Sequence, residues 1–169
     1  MSEKNKIKVK VGVVGVGMVS YSHIDAYQAH PNAEVVAVCD KDEERVKQVA
    51  QIYGIKKYYT DYAEMLKDPE INTVDIATPT FMHVEMTIQA AEAGKNIHCE
   101  KPFCLNLEEG ERACEAAKKN GVFYYPILVR HEKDSWNEFT EKAVQKLLDG
   151  SYEGAYQQEK AVALLDNLK

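Results

Sequence analysis

The sequence predicts an α/β fold: a doubly wound parallel sheet with helices on both faces, continued by a helical C-terminal extension. Three observations point there. Short apolar runs alternate with amphipathic stretches of helical length. The runs are nearly continuous, as in Glu34-Val-Val-Ala-Val-Cys39, which suits strands buried on both faces. A Gly-rich turn follows the first run and opens the first amphipathic stretch.

The elements follow in order. Residues 7–14 read as a strand and residues 18–29 as a helix. Residues 34–39 make a second strand and 42–53 a second helix. A short helix over 61–66 is closed by Lys67-Asp68-Pro69. A strand over 73–77 ends at Thr78-Pro79, and a helix over 81–93 is stopped by Gly94. Residues 96–99 form a strand, and a helix over 107–119 is stopped by Asn120-Gly121. Both glycines suit left-handed C-caps. A strand over 122–129 follows. Beyond it, Trp136, Phe139, Ala143, Val144, Leu147 and Leu148 recur at helical spacing, as do Ala161, Leu164, Leu165 and Leu168. No repeat, low-complexity stretch or linker interrupts the chain.

The length of 169 residues suits one domain, and 45% apolar residues suffice for a core. A net charge of -6 argues against a sequence-independent nucleic-acid binder, which needs a basic face. No polybasic cluster marks a lipid surface. No apolar run approaches the roughly 20 residues that span a bilayer. The charged start carries no signal-peptide apolar region, so a cytoplasmic location is expected. Cys39, Cys99, Cys104 and Cys114 lack paired ligand spacing. Buried reduced thiols are expected there, and no metal site.

The strongest local signal is Gly15-Val16-Gly17-Met18-Val19-Ser20. Gly15 would allow the tight turn, and Gly17 would let a pyrophosphate approach the backbone. Free N–H groups of the first helical turn, with the helix dipole, would hold the anion. Ser20 takes the place of a third glycine. Alone, such a turn can also simply end a strand. Asp40 lies 25 positions after Gly15, at the end of the second strand. A carboxylate there can accept both hydroxyls of an adenine ribose and repel a 2′-phosphate, which favours NAD over NADP. The same Asp could begin a turn or cap the next helix. Lys41 and Arg45 stand close by, which leaves some room for NADP. Thr78-Pro79-Thr80 falls at the carboxyl end of a strand, where such sheets bind ligands; Thr80 could also serve as a helix N-cap. Glu100-Lys101-Pro102 occupies a similar edge. A lysine there could move a proton if its surroundings tune it, or form an exposed ion pair before a turn.

In combination these stretches resemble the Gfo/Idh/MocA (glucose–fructose oxidoreductase / inositol dehydrogenase) family. The matching residues are Val11-Gly-Val-Val-Gly-Val-Gly17 with His23, then Asp40, then Asp75-Ile-Ala-Thr-Pro-Thr80 with His83. Ala93-Gly-Lys-Asn-Ile-His-Cys-Glu-Lys-Pro102 and Val129-Arg130 complete the set. The resemblance implies a Rossmann dinucleotide-binding domain over residues 1–150, with residues 151–169 as an amphipathic tail. It implies hydride transfer between NAD(P) and a hydroxyl carbon of a sugar, cyclitol or relative. Gly15, Gly17, Met18 and Val19 would hold the pyrophosphate and Asp40 the adenosine ribose. Thr78, Pro79, Thr80 and His83 would line the nucleotide edge. Glu100 and Lys101 would sit beside the nicotinamide ribose, with Lys101 reaching the substrate as the catalytic group. Arg130 would line the same cleft. The Lys101-Pro102 bond is expected to be cis. His23 matches a family position but reads as structural, and His30, His98 and His131 carry no functional expectation.

The family usually continues into a second, sheet-rich domain that holds the substrate pocket, and the sequence as read to Lys169 lacks it. Turnover would need that pocket from another domain or chain. A non-catalytic NAD(H)-binding module and a functionless remnant are the alternatives. The stripe ending at Leu168 needs cover: it would fold back on its own domain or pack on a second copy, and the homodimer is the expectation.

Overall fold

Parallel strands bond both edges and hide both faces, so helices must cover the sheet on both sides. The computed structural model describes residues 8–126 and bears this out. Its elements are β1 (Val9–Val14), α1 (Met18–Ala29), β2 (Ala33–Cys39), α2 (Glu43–Tyr53), β3 (Lys57–Tyr59), α3 (Tyr62–Leu66), β4 (Thr73–Ile76), α4 (Thr80–Glu92), β5 (Asn96–Cys99), α5 (Leu107–Asn120) and β6 (Tyr124–Pro126). The strands form one parallel sheet in the order β3-β2-β1-β4-β5-β6. Arg130, His131, the far end of the last strand, the two later helical stretches and the tail over 151–169 lie outside the described residues.

Side chains alternate across the sheet and build two cores. On one side, Val9, Val11, Val13, Val35 and Val38 pack with Ile24 and Tyr27 of α1 and Val46 and Val49 of α2. On the other, Val14, Val74, Ile76, Ile97 and Cys99 pack with Val84, Met86 and Ala90 of α4 and Ala113 and Ala117 of α5. The four cysteines are buried free thiols. Burial pushes Cys39 up to about 12 and Cys114 up to about 11, so neither is poised as a nucleophile.

Sequence and structure differ at three ends. Asp42 and Asp61 stand just outside their helices as N-caps, accepting from the N–H of Arg45 and of Ala63. Pro79, rather than Thr80, precedes α4. The edge strand β3 was not foreseen, since three residues, Lys-Tyr-Tyr, carry no readable period. The two helix stops agree: Gly94 and Gly121 take φ of 69° and 64°.

The sheet order reverses between β1 and β4. The connection from β1 runs outward to β2, and that from β4 runs the other way to β5, which opens a crevice where their carboxyl ends diverge. At its floor Gly15 has φ +85°, and a Cβ there would fall 2.8 Å from Ala77 C and O and Thr78 N. Both the backbone shape and the space require glycine. Gly15→Ala should lower unfolding free energy by about 2 to 4 kcal/mol, from left-handed strain plus overpacking. Urea unfolding checks this, and an unchanged midpoint would show that the two strand ends can part freely.

Candidate cofactor site

The crevice is walled by two helix N-termini, and they differ from the others. α2, α3 and α5 are capped by Asp42, Asp61 and Asn106, and each carries glutamate in its first turn. α1 and α4 begin at Gly17 and Pro79 with no capping side chain and no acid in the first turn. Their positive ends therefore face the sheet edge with no acid from their own first turn. A Cβ on Gly17 would meet nothing within 4 Å, so the space above it is open. Met18 is 90% exposed and Val19 42%, beside that opening. Ser20, in the place of a third glycine, is buried, and its hydroxyl donates to Gly17 O at 2.7 Å. The hydroxyl thus fits under the turn instead of blocking it.

Asp40 ties the end of β2 to this turn. Its Oδ2 accepts from Val16 N–H at 3.0 Å and its Oδ1 from Asp42 N–H at 3.0 Å. The residue therefore does begin a turn, while Asp42 caps α2. Its carboxylate, fixed from two sides, keeps lone pairs for a further donor. Arg45 Nη1 stands 3.8 Å from Oδ2.

The opposite wall is built by the segments after β4 and β5. Thr78 and Thr80 are half-buried and Pro79 is exposed at this edge. His83 is 1% exposed and turned inward. Its ring lies between two carbonyls, with Nε2 at 2.7 Å from Thr78 O and Nδ1 at 2.9 Å from Pro102 O. It joins the two segments from behind and offers no polar atom to the edge. The Lys101-Pro102 bond is cis. Lys101 is exposed, whereas Glu100 is only 5% exposed. Glu100 Oε2 accepts from Lys101 N–H at 2.7 Å, so its carboxylate faces the interior.

Beneath Lys101 lies a buried polar cluster that sequence reasoning passed over. His23 of α1, Asp75 of β4 and His98 of β5 are 0%, 0% and 3% exposed. His23 Nδ1 is 2.9 Å from Asp75 Oδ2, and its Nε2 is 3.5 Å from Glu100 Oε1. His98 Nδ1 lies 2.9 Å from the Tyr27 hydroxyl and 3.4 Å from Asp75 Oδ2. His23, Asp75 and His98 bring ligand atoms within 4.8 Å of one another, but the short contacts engage both Nδ1 atoms in hydrogen bonds. The signal was present: Asp75 and His98 set ionisable side chains in the middle of short buried strands, on the face that α1 covers.

Burial alone would depress His23. The charge and hydrogen bond of Asp75, with a smaller contribution from Glu100, outweigh it and hold the ring up at about 10. Burial works against Asp75 too, yet the two histidines keep its carboxyl below the usual carboxylate range.

The segment holding these features, residues 9–127, matches the oxidoreductase family with an NAD-binding Rossmann fold, Gfo/Idh/MocA. The chain belongs to this family. It is 35% identical over 144 residues to D-apiose dehydrogenase of Paraburkholderia graminis, covering 85% of this chain and 37% of that protein. It is 43% identical over 116 residues to scyllo-inositol 2-dehydrogenase (NAD(+)) of Bacillus subtilis, covering 68% and 34%. The WlbA dehydrogenase of Bordetella pertussis, solved with NADH and UDP-GlcNAcA, superposes with a TM-score of 0.68 at 30% identity, covering 71% of this chain and 35% of that one. The chain thus spans about a third of the length of these Gfo/Idh/MocA relatives. Nicotinamide dinucleotide binding is the property of the domain they share. Among the described residues no helix is long and apolar enough to cross a membrane.

The His23–Asp75 pair predicts a pH dependence of stability. The raised histidine contributes fully below its ordinary value of 6.5 and loses that contribution as pH rises toward about 10. The depressed aspartate contributes above its ordinary 3.8 and loses it as pH falls. The doubly neutral variant His23→Gln/Asp75→Asn should therefore lag the unmutated chain most between 3.8 and 6.5. The gap in thermal midpoint should shrink toward pH 10. A gap independent of pH would show that the pair is not charged.

Proposed function

We propose that this chain is the nucleotide-binding part of an oxidoreductase that moves a hydride between NAD and a hydroxyl carbon of a sugar, cyclitol or related small molecule. The observation that carries the reading is the bare N-terminus of α1 beneath the open face of Gly17, with Asp40 fixed beside it. The sugar and cyclitol dehydrogenases among the relatives support the substrate class. A second domain or chain completes the substrate pocket in this reading.

Gly15, Gly17, Met18 and Val19 receive the pyrophosphate on backbone N–H groups, and the α1 dipole favours its charge. Asp40 accepts from the adenine ribose hydroxyls. Thr78, Pro79 and Thr80 line the other side, with His83 holding that wall from behind. Bound NAD supplies the hydride acceptor. Lys101 sits beside the nicotinamide ribose and handles the substrate hydroxyl proton as catalytic group, with Glu100 fixing its backbone and Arg130 lining the cleft. The preference is for NAD rather than NADP, because a 2′-phosphate would meet the Asp40 carboxylate. In the same reading the chain works in the cytoplasm and pairs with a second copy through Ala161, Leu164, Leu165 and Leu168, a stripe that rests on sequence pattern alone.

Two variants test this. Gly17 has φ -79° and ψ -170°, extended backbone that valine adopts without strain. Gly17→Val should abolish NADH binding, read by nicotinamide fluorescence, and leave the melting temperature nearly unchanged. Retained binding would place the nucleotide elsewhere. The unmutated chain should prefer NADH over NADPH by about tenfold to a hundredfold, the size of one unfavourable charge contact in a partly exposed site. Asp40→Ser should narrow that gap, with Arg45 then available to a 2′-phosphate. Equal affinities before mutation would reject the role of Asp40.

A further inference from the structure

The buried cluster under Lys101 has a direction. It starts at Asp75, passes through the His23 ring to Glu100, and ends at the backbone N–H of Lys101, the last residue before the cis peptide bond. Both ring nitrogens of His23 face carboxylate oxygens, at 2.9 Å and 3.5 Å. The shorter contact is a hydrogen bond and the longer an ion-pair contact; since a carboxylate only accepts, a ring with hydrogen on both nitrogens suits both.

We propose that His23 is a positioning residue for Lys101: its doubly protonated ring, anchored by Asp75, orients the Glu100 carboxylate, which in turn fixes the Lys101 backbone at the nicotinamide side of the crevice. The proposal rests on the reading of Lys101 given above and extends it to residues that touch neither nucleotide nor substrate.

Three features support it. The side chain of His23 is fully buried, so its charge has no solvent to turn to and acts on its neighbours. Glu100 would be a second buried carboxylate beside Asp75, and a cation between them offsets both. The groups facing His23 from the packed elements are Asp75 on β4, His98 on β5 and Glu100 after β5; behind them Tyr27 of α1 meets His98 through its hydroxyl, and Tyr125 of β6 stacks on His98 at 6.0 Å. Of these, Asp75 and Glu100 are acids that hold the ring charged, in keeping with its rise to about 10. The arrangement also accounts for the inward turn of Glu100 at an edge where a ligand contact was expected.

The test uses the full chain and reads the Lys101 amide directly by NMR. In His23→Gln the Lys101 N–H should lose its downfield shift and its protection from exchange, as it should in Glu100→Gln. Amides in the middle of β1 and β4 should stay in place. Asp75→Asn should reproduce the effect, because it removes the anchor and leaves the ring. NADH affinity in His23→Gln should fall by about threefold to tenfold, the loss of one buried charge contact acting through a neighbour. A folded His23→Gln chain with an unmoved Lys101 amide would overturn the proposal. If that variant does not fold, the unmutated chain decides. At about pH 8, above the ordinary histidine value, both ring nitrogens of His23 should be protonated, and a neutral ring would overturn the proposal. Failure of the unmutated chain to bind NADH rejects the cofactor reading alone, because the Lys101 amide reports on positioning with no nucleotide present.

Discussion

The absence of one Cβ governs this structure. At Gly15 the end of β1 comes so near the backbone of Ala77 and Thr78 that any side chain would collide with main-chain atoms. That contact lets β1 and β4 lie side by side to their last residues while their connections leave in opposite directions. The crevice, the two helix ends that flank it and the placing of Asp40 all follow. Gly15 N–H donates to Cys39 O and Ala77 N–H to Val14 O, at 2.9 Å and 2.8 Å, so the ladder holds right up to the turn. The site is therefore part of the sheet rather than a loop added to it.

Much of this was legible from residue types. The helices over Met18–Ala29 and Glu43–Tyr53 and the strand Asn96–Cys99 follow their apolar periods. Gly15 and Gly17 announced a turn that needs glycine for two different reasons, left-handed backbone in one case and open space in the other. Asp40 was legible as a strand-end carboxylate, but its two backbone hydrogen bonds were not, since they depend on how β2 ends beside the turn. The inward facing of Glu100 and His83 could not be read either. Both are polar residues at a ligand edge, where sequence reasoning points them outward. Only the fold shows that each has partners behind it.

The polar layer under the sheet edge was hidden for a related reason. His23, Asp75 and His98 are 52 and 23 positions apart along the chain, and no local motif joins them. Each alone looked like a minor exception in an apolar segment. Brought together, they place ionisable groups in a largely apolar core. Such groups are tolerated in an interior only when their partners are in place. The cluster therefore specifies how α1 sits on β4 and β5 more narrowly than apolar packing would, since a helix shifted by one turn would strand these charges.

The His83 ring, set between the carbonyls of Thr78 and Pro102, has a mechanical consequence. It makes two segments from different strands into one unit. The turn after β4 cannot shift away from the turn after β5 without breaking the ring's close contact with one carbonyl or the other. Motion at this edge is thus concerted: the whole wall tilts, or none of it does. The opposite rim has a tether of its own, the Asp40 carboxylate on Val16 N–H, and from it Met18 and Val19 reach into solvent.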